Sequence, residues 1–115
     1  MNDIVVETHS SGVEMQIDKA NAFATFAAAS QAQKDCNFYC KQDTENLIKS
    51  SLIHSDLDKG VLRWVMPYAE MQYELVATRL DKNPNATYHW CDTAYANHGD
   101  EWQRIFAAAL RRGGG

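Results

Sequence analysis

The chain has only two prolines and six glycines among its 115 residues, and three of the glycines are its last three residues. So few breakers exclude collagen-like and low-complexity architectures and leave long stretches free to form regular elements. No apolar run approaches the ~18 residues of a bilayer span, so no membrane partner is expected. The start, Met1-Asn2-Asp3, lacks the basic region of a signal peptide. Cysteine is sparse and odd in number: Cys36 and Cys40 lie four apart and Cys91 is distant. Without an export signal, reduced thiols are the expectation, and a bridge between two positions on one helical face is geometrically poor. Positive charge is also short, with 11 Lys+Arg against 15 Asp+Glu and a formal net charge of −4. That balance argues against a dedicated nucleic-acid binder. The chain contains no G-x-G-x-x-G, P-loop, H-E-x-x-H or G-x-S-x-G pattern.

What is present is ordinary globular material, 45% hydrophobic and 23% charged. A chain of this length builds one core. Residues 1–112 are expected to form a single domain, with 113–115 a flexible glycine tail. β-Branched Ile4, Val5, Val6 and Thr8 predict a strand within residues 2–9, stopped by Ser10-Ser11-Gly12. Val13, Met15 and Ile17 alternate with Glu14 and Gln16, which fits either further strand or a short amphipathic turn. Asp18 is a candidate N-cap for a long alanine-rich helix reaching Cys40, in which Phe23, Phe26 and Phe38 are expected to pack into the core. Asp43 or Thr44 caps a second helix carrying Leu47, Ile48 and Leu52. Residues 53–57 and 61–66 read as two strands joined by Asp58-Lys59-Gly60 in a hairpin, with Pro67 as the stop. Residues 68–80 have helical rhythm and 81–85 read as a loop. Trp102, Ile105, Phe106, Ala109 and Leu110 fall on one face of a last helix over residues 92–112. The fold class is α+β: a long N-terminal helix and a C-terminal helix packed on a small antiparallel sheet containing a β-hairpin.

Signals of chemistry are thin. Four histidines (His9, His54, His89, His98) and three cysteines offer no C-x-x-C pairs of zinc spacing, so no metal or other cofactor is expected. Cys36 and Cys40 read as small buried hydrophobes. Cys91 and His98, seven residues apart, form a conceivable nucleophile pair of low specificity. No acidic pair is marked out for acid–base work, so no catalytic residue is assigned. The positive signal lies in the aromatics: five Tyr and three Trp, several beside loops, where such side chains favour interfaces. Tyr88-His89-Trp90 follows the Pro84 loop, and Trp90 either folds back onto the core or reaches a neighbouring subunit.

The chain also resembles a family. Asp43-Thr44-Glu45-Asn46-Leu47, Ser50-Ser51, Pro67-Tyr68-Ala69, Gln72-Tyr73, Thr87, Trp90, Ala94, His98-Gly99 and Trp102 occur in that order before a closing helix. This arrangement is similar to the minor capsid or neck proteins of tailed bacteriophages, the head–tail joining and tail-completion group. The resemblance covers residues 40–110 by motif and the first 40 by pattern. Two positions depart from the family's Asp-Thr-Gly-x-Leu-Arg segment: Glu45 replaces the glycine and Ile48 the arginine. Glu adopts positive φ reluctantly, so the turn is expected to become continuous helix. The resemblance implies a structural virion protein, made in the host cytoplasm and placed in the neck. Copies would form a ring, sixfold or twelvefold, between portal-adaptor or head-closure proteins and tail-terminator or tail-tube proteins. Genomic DNA would pass through without sequence-specific binding. The expected interface residues are Tyr68, Tyr73, Tyr88, Trp90, His98, Arg111 and Arg112. The alternative is a small soluble interaction module or regulator, a helix-mediated oligomer pairing through the thin face between Ala20 and Ala32.

Overall fold

The computed structural model describes residues 4–9, 11–17, 21–40, 47–66, 69–74, 83 and 85–114. Strand β1 (Val5–His9) turns into β2 (Gly12–Gln16), and β3 (Val61–Val65) lies on the far side of β2. The sheet order is β1-β2-β3, all antiparallel, with Glu7 opposite Glu14 and Glu14 opposite Arg63. Val13, Met15, Leu62 and Trp64 point to one face and are buried there. Glu14, Gln16 and Arg63 occupy the other, where the Arg63 guanidinium donates to Glu14 at 2.7 Å. The period of two thus places the core on a single side of the sheet.

The hairpin of the sequence reading is present as β1–β2 rather than over 53–66. Helix α2 (Leu47–His54) runs through the first half of the expected strand, and Leu57–Lys59 form a 3-10 turn. Only Asp56 keeps strand character, in an isolated bridge to Val61. The reason lies in the hydrogen bonds of β3's outer side. Val61 N–H donates to Asp56 O at 3.0 Å, Arg63 N–H to Ser55 Oγ at 2.9 Å and Val65 N–H to Ser50 Oγ at 3.1 Å. Two hydroxyls and one carbonyl satisfy what a paired strand would otherwise satisfy. Gly60 makes the turn with φ 70°, and a Cβ there would lie 2.6 Å from Ile17 O, so the position needs glycine.

Helix α1 (Ala22–Tyr39) starts at Asn21, whose side chain accepts from Ala24 N–H at 3.0 Å. The expected caps Asp18, Asp43 and Thr44, and the Pro67 stop, lie outside the described residues. The buried face of α1 is its smallest one: Ala24, Thr25, Ala28, Ala29, Ala32 and Cys36. The three phenylalanines expected in the core are on the surface, Phe23 at 55%, Phe26 at 46% and Phe38 at 52% exposure. The interior volume is filled from elsewhere, by Trp64, Trp90 and Trp102, all with no exposed surface. What remains beside α1 is room for methyl groups, and the close approach of helix α4 (Trp90–Ala109) uses it. On α4 the stripe Trp102, Phe106 and Ala109 is buried as the spacing predicts. A π turn, Leu110–Gly114, closes the chain and takes in two of the three tail glycines. Helix α3 (Ala69–Glu74) is the described part of the helix expected from residue 68 onward.

Polar groups fasten these layers together. Trp64 Nε1 donates to Asn37 Oδ1 at 2.9 Å, Asn37 Nδ2 to Ser51 Oγ at 2.8 Å, and Gln33 Nε2 to Ser51 O at 2.9 Å. Trp102 Nε1 donates to Asp35 Oδ2 at 2.7 Å. Asn37 therefore ties α1 to both β3 and α2.

Candidate interaction site

The two edges of the sheet are built differently. β3 is sealed by Ser50, Ser55 and Asp56. In β1, the two-residue turn makes His9 and Gly12 the closing pair, so residues 5, 7 and 9 bond to β2. The same phase follows from Met66 N–H donating to Ser11 O and Ile17 N–H to Gly60 O on the β3 side. The main-chain groups of Val6 and Thr8 therefore point away from the sheet. Among the described residues, none takes those groups up as a backbone partner.

Beside this edge lies a cleft of about 440 Å³ lined by Ile4, Val6, Thr8, Tyr73, Glu74, His89, Asp92 and Tyr95. α3 supplies Tyr73 and Glu74, and the start of α4 supplies Asp92 and Tyr95. His89 joins them. Its φ of 49° and ψ of 52° are left-handed, a strained choice for a residue with a Cβ. Its main-chain N–H donates to Tyr73 O at 2.7 Å, and its ring stacks on Tyr73 at 4.8 Å. Its Nε2 meets Glu74 Oε2 at 2.7 Å and its Nδ1 meets Asp92 Oδ2 at 3.1 Å. With a carboxylate at each nitrogen the imidazolium is favoured, and the hydrogen bond to Glu74 is the largest cause of a pKa raised above the ordinary 6.5. Thr8 Oγ1 donates to Glu70 Oε2 at 3.0 Å, joining β1 to α3 on the same side. The cleft is thus acidic, with two carboxylates on its one histidine and a third, that of Glu70, at its border on Thr8.

A second, smaller groove of about 280 Å³ lies where the start of α1 meets the end of α4. It is lined by apolar Phe23, Ala27, Ile105, Ala108 and Ala109 together with Glu101, Arg104 and Arg112. Elsewhere, Leu52 and Ile53 project from α2 at 63% and 74% exposure. Leu52 is expected to share the apolar spacing of Leu47 and Ile48, but α2 turns Leu47, Ser50 and Ser51 inward.

The expected interface residues are scattered over this framework. Tyr88 is half-exposed beside His89, and Arg111 and Arg112 are exposed in the π turn that follows α4. His98 Nε2 pairs with Tyr39 OH at 3.2 Å. Trp90 and Tyr73 are buried within the subunit and stack edge-to-face at 4.7 Å, so Trp90 takes the inward of its two alternatives. Tyr68 lies outside the described residues. His89, Glu74 and Thr8 escape a reading of the sequence because the cleft is assembled from β1, α3 and α4, far apart in the chain. The signal that was available is Tyr88-His89-Trp90 itself, three rings with no apolar periodicity.

The conceivable Cys91–His98 pair is not assembled for nucleophilic work. Cys91 is buried against Cys36 and Cys40, and burial first, then Cys36, pushes its thiol pKa well up. A thiol so held stays protonated. Cys36 and Cys40 are buried, as read, and neither is in a disulfide; Cys36 Sγ donates to Met15 Sδ at 3.7 Å. Among the described residues no group of three His, Cys, Asp or Glu side chains is placed to hold a metal ion. Nor is any described helix long and apolar enough to cross a membrane. Compared with known proteins, residues 4–110 match the sequence model of a family described as "Minor capsid protein". No curated protein and no solved structure matches the chain significantly.

Proposed function

The chain belongs to the minor capsid protein family, a structural component of the phage virion, and from this premise we propose that it is a subunit of the neck ring that joins the capsid portal to the tail. Its partners are then copies of itself around the ring, with portal-adaptor or head-closure proteins on one side and tail-terminator or tail-tube proteins on the other. The role is mechanical, without catalysis.

The observation that carries this reading is the apolar surface left uncovered on α1 and α2. Phe23, Phe26, Phe38, Leu52 and Ile53 are all more than two-fifths exposed. Scattered exposed apolar residues are ordinary, but five large ones on two helices of so small a chain mark surface meant to be covered. A ring needs heterologous contacts, in which different patches of identical copies meet, and separate apolar patches supply them. Tyr88, Arg111 and Arg112 stand on the surface as further contact residues. The net charge of −4 suits a channel wall along which DNA slides without binding.

The alternative, a soluble module pairing through its alanine face, loses its surface. Ala24, Ala28, Ala29 and Ala32 are fully buried inside the subunit. The deciding experiment is cryo-electron microscopy of intact particles with this chain labelled. Density for a closed ring of copies at the portal–tail junction is expected. Density on the capsid faces or at the tail tip would refute the neck placement.

A further inference from the structure

We propose that the open edge of β1, with the acidic cleft beside it, is a strand-addition site for an extended, basic segment of a neighbouring virion protein.

Three observations on the molecule converge here. First, the two sheet edges are treated differently. Ser50, Ser55 and Asp56 satisfy every outward N–H of β3, whereas the outward groups of Val6 and Thr8 have no backbone partner among the described residues. The edge segment Ile-Val-Val-Glu-Thr-His contains neither proline nor lysine. Second, the side chains that flank this edge, Ile4, Val6 and Thr8, line a cleft of about 440 Å³ and are only half-covered. An added strand would place alternate side chains into that cleft, against Tyr73 and Tyr95. Third, the charge there is one-sided. Glu74 and Asp92 flank one histidine in the cleft and Glu70 stands beside it on Thr8, three carboxylates to one imidazole, so lysine or arginine at the alternate positions of the incoming segment is complementary. A second copy of this chain is a poorer occupant. Among its described strands Arg63 is the one lysine or arginine, and it is paired to Glu14 within its own sheet.

The source of the segment rests on the virion reading; the site itself is tested on the isolated full chain. The probe is a short synthetic peptide alternating valine and lysine, with a counterpart alternating valine and glutamate. Amide hydrogen exchange by NMR is expected to slow at Val6 and Thr8 on adding the lysine peptide and to be unchanged with the glutamate one. Val6→Pro removes an outward N–H without touching the ladder to β2 and should weaken peptide binding about tenfold or more. Glu74→Lys, a surface change, should do the same, and it carries the test alone if Val6→Pro fails to fold. Equal binding of both peptides, unchanged exchange at Val6 and Thr8, or an edge closed by self-association that the peptide cannot displace would each overturn the proposal. None of these outcomes bears on whether the chain sits in the neck, and a different position in the particle leaves the peptide result standing.

Discussion

His89 combines a left-handed backbone, a ring stacked on Tyr73 and a carboxylate on each nitrogen. Because its pKa is raised in the folded chain, its ion pairs contribute fully below the ordinary 6.5 and are lost as pH rises through the folded value. An NMR titration should place the His89 ring above 6.5, and Glu74→Gln should bring it back toward that value. Glu14 behaves in the opposite sense. Its hydrogen bond from Arg63 lowers its pKa, so its contribution is present above the ordinary 4.5 and fades as pH falls through the folded value. Tyr73 offers a different test. Its hydroxyl is buried near Cys91 and the Asp92 backbone without a hydrogen bond, and burial is the main cause of a pKa raised far above the ordinary 10. Tyr73→Phe removes a desolvated polar atom and keeps the ring, so urea unfolding should show a gain of about 1 kcal/mol. Trp90 Nε1 is buried without a partner as well, while the other two tryptophans donate to Asn37 and Asp35.

At the level of elements, α1 and α2 hold the lessons. The long helix was legible in the sequence, because an alanine-rich run without Gly or Pro has few alternatives. Its orientation was not. Apolar residues lie all round α1, so periodicity does not choose between the phenylalanine side and the alanine side. Three tryptophans from β3 and α4 make the choice by filling the interior first. Enlarging the alanine seam should therefore be costly: Ala28→Leu is expected to destabilise by about 1–3 kcal/mol in thermal or urea unfolding. The hairpin misplaced over 53–66 has a similar cause. Ile53 and Leu57 suggest a strand, but the serines at 50 and 55 do the strand's hydrogen bonding while α2 stays helical. Ser50→Ala and Ser55→Ala should each cost about 1 kcal/mol and speed amide exchange at Val65 and Arg63 respectively.

The whole molecule measures 45 × 23 × 20 Å, with surface apolar residues at sites no single element announces. The sequence made the α+β class, the closing helix and the buried thiols readable, and ordered motifs pointed to the minor capsid family. The candidate site stayed hidden because its residues come from positions 8, 74, 89 and 92, brought together only by the sheet and the α3–α4 junction. Surface function is testable apart from stability. Phe26→Ser should leave the isolated chain's unfolding free energy within about 0.5 kcal/mol, since the ring is already half in water. The same variant should lower the copy number of this chain in assembled particles, read by mass spectrometry of purified virions. An unchanged copy number would remove Phe26 from the contact surface.

The serine caps on β3 have one more consequence, for the behaviour of this chain at high concentration. A sheet with two bare borders can template a further sheet on either side, and the stacking has no natural end. Here one border is blunted by hydroxyls from the chain's own α2 and the residue just after it, Ser50 and Ser55. Two copies paired along β1 therefore end on capped β3 borders, and fibre growth of this chain through its sheet is closed off. Replacing both serines would remove that safeguard, and the first sign would be thioflavin-positive aggregates in the double variant but not in either parent.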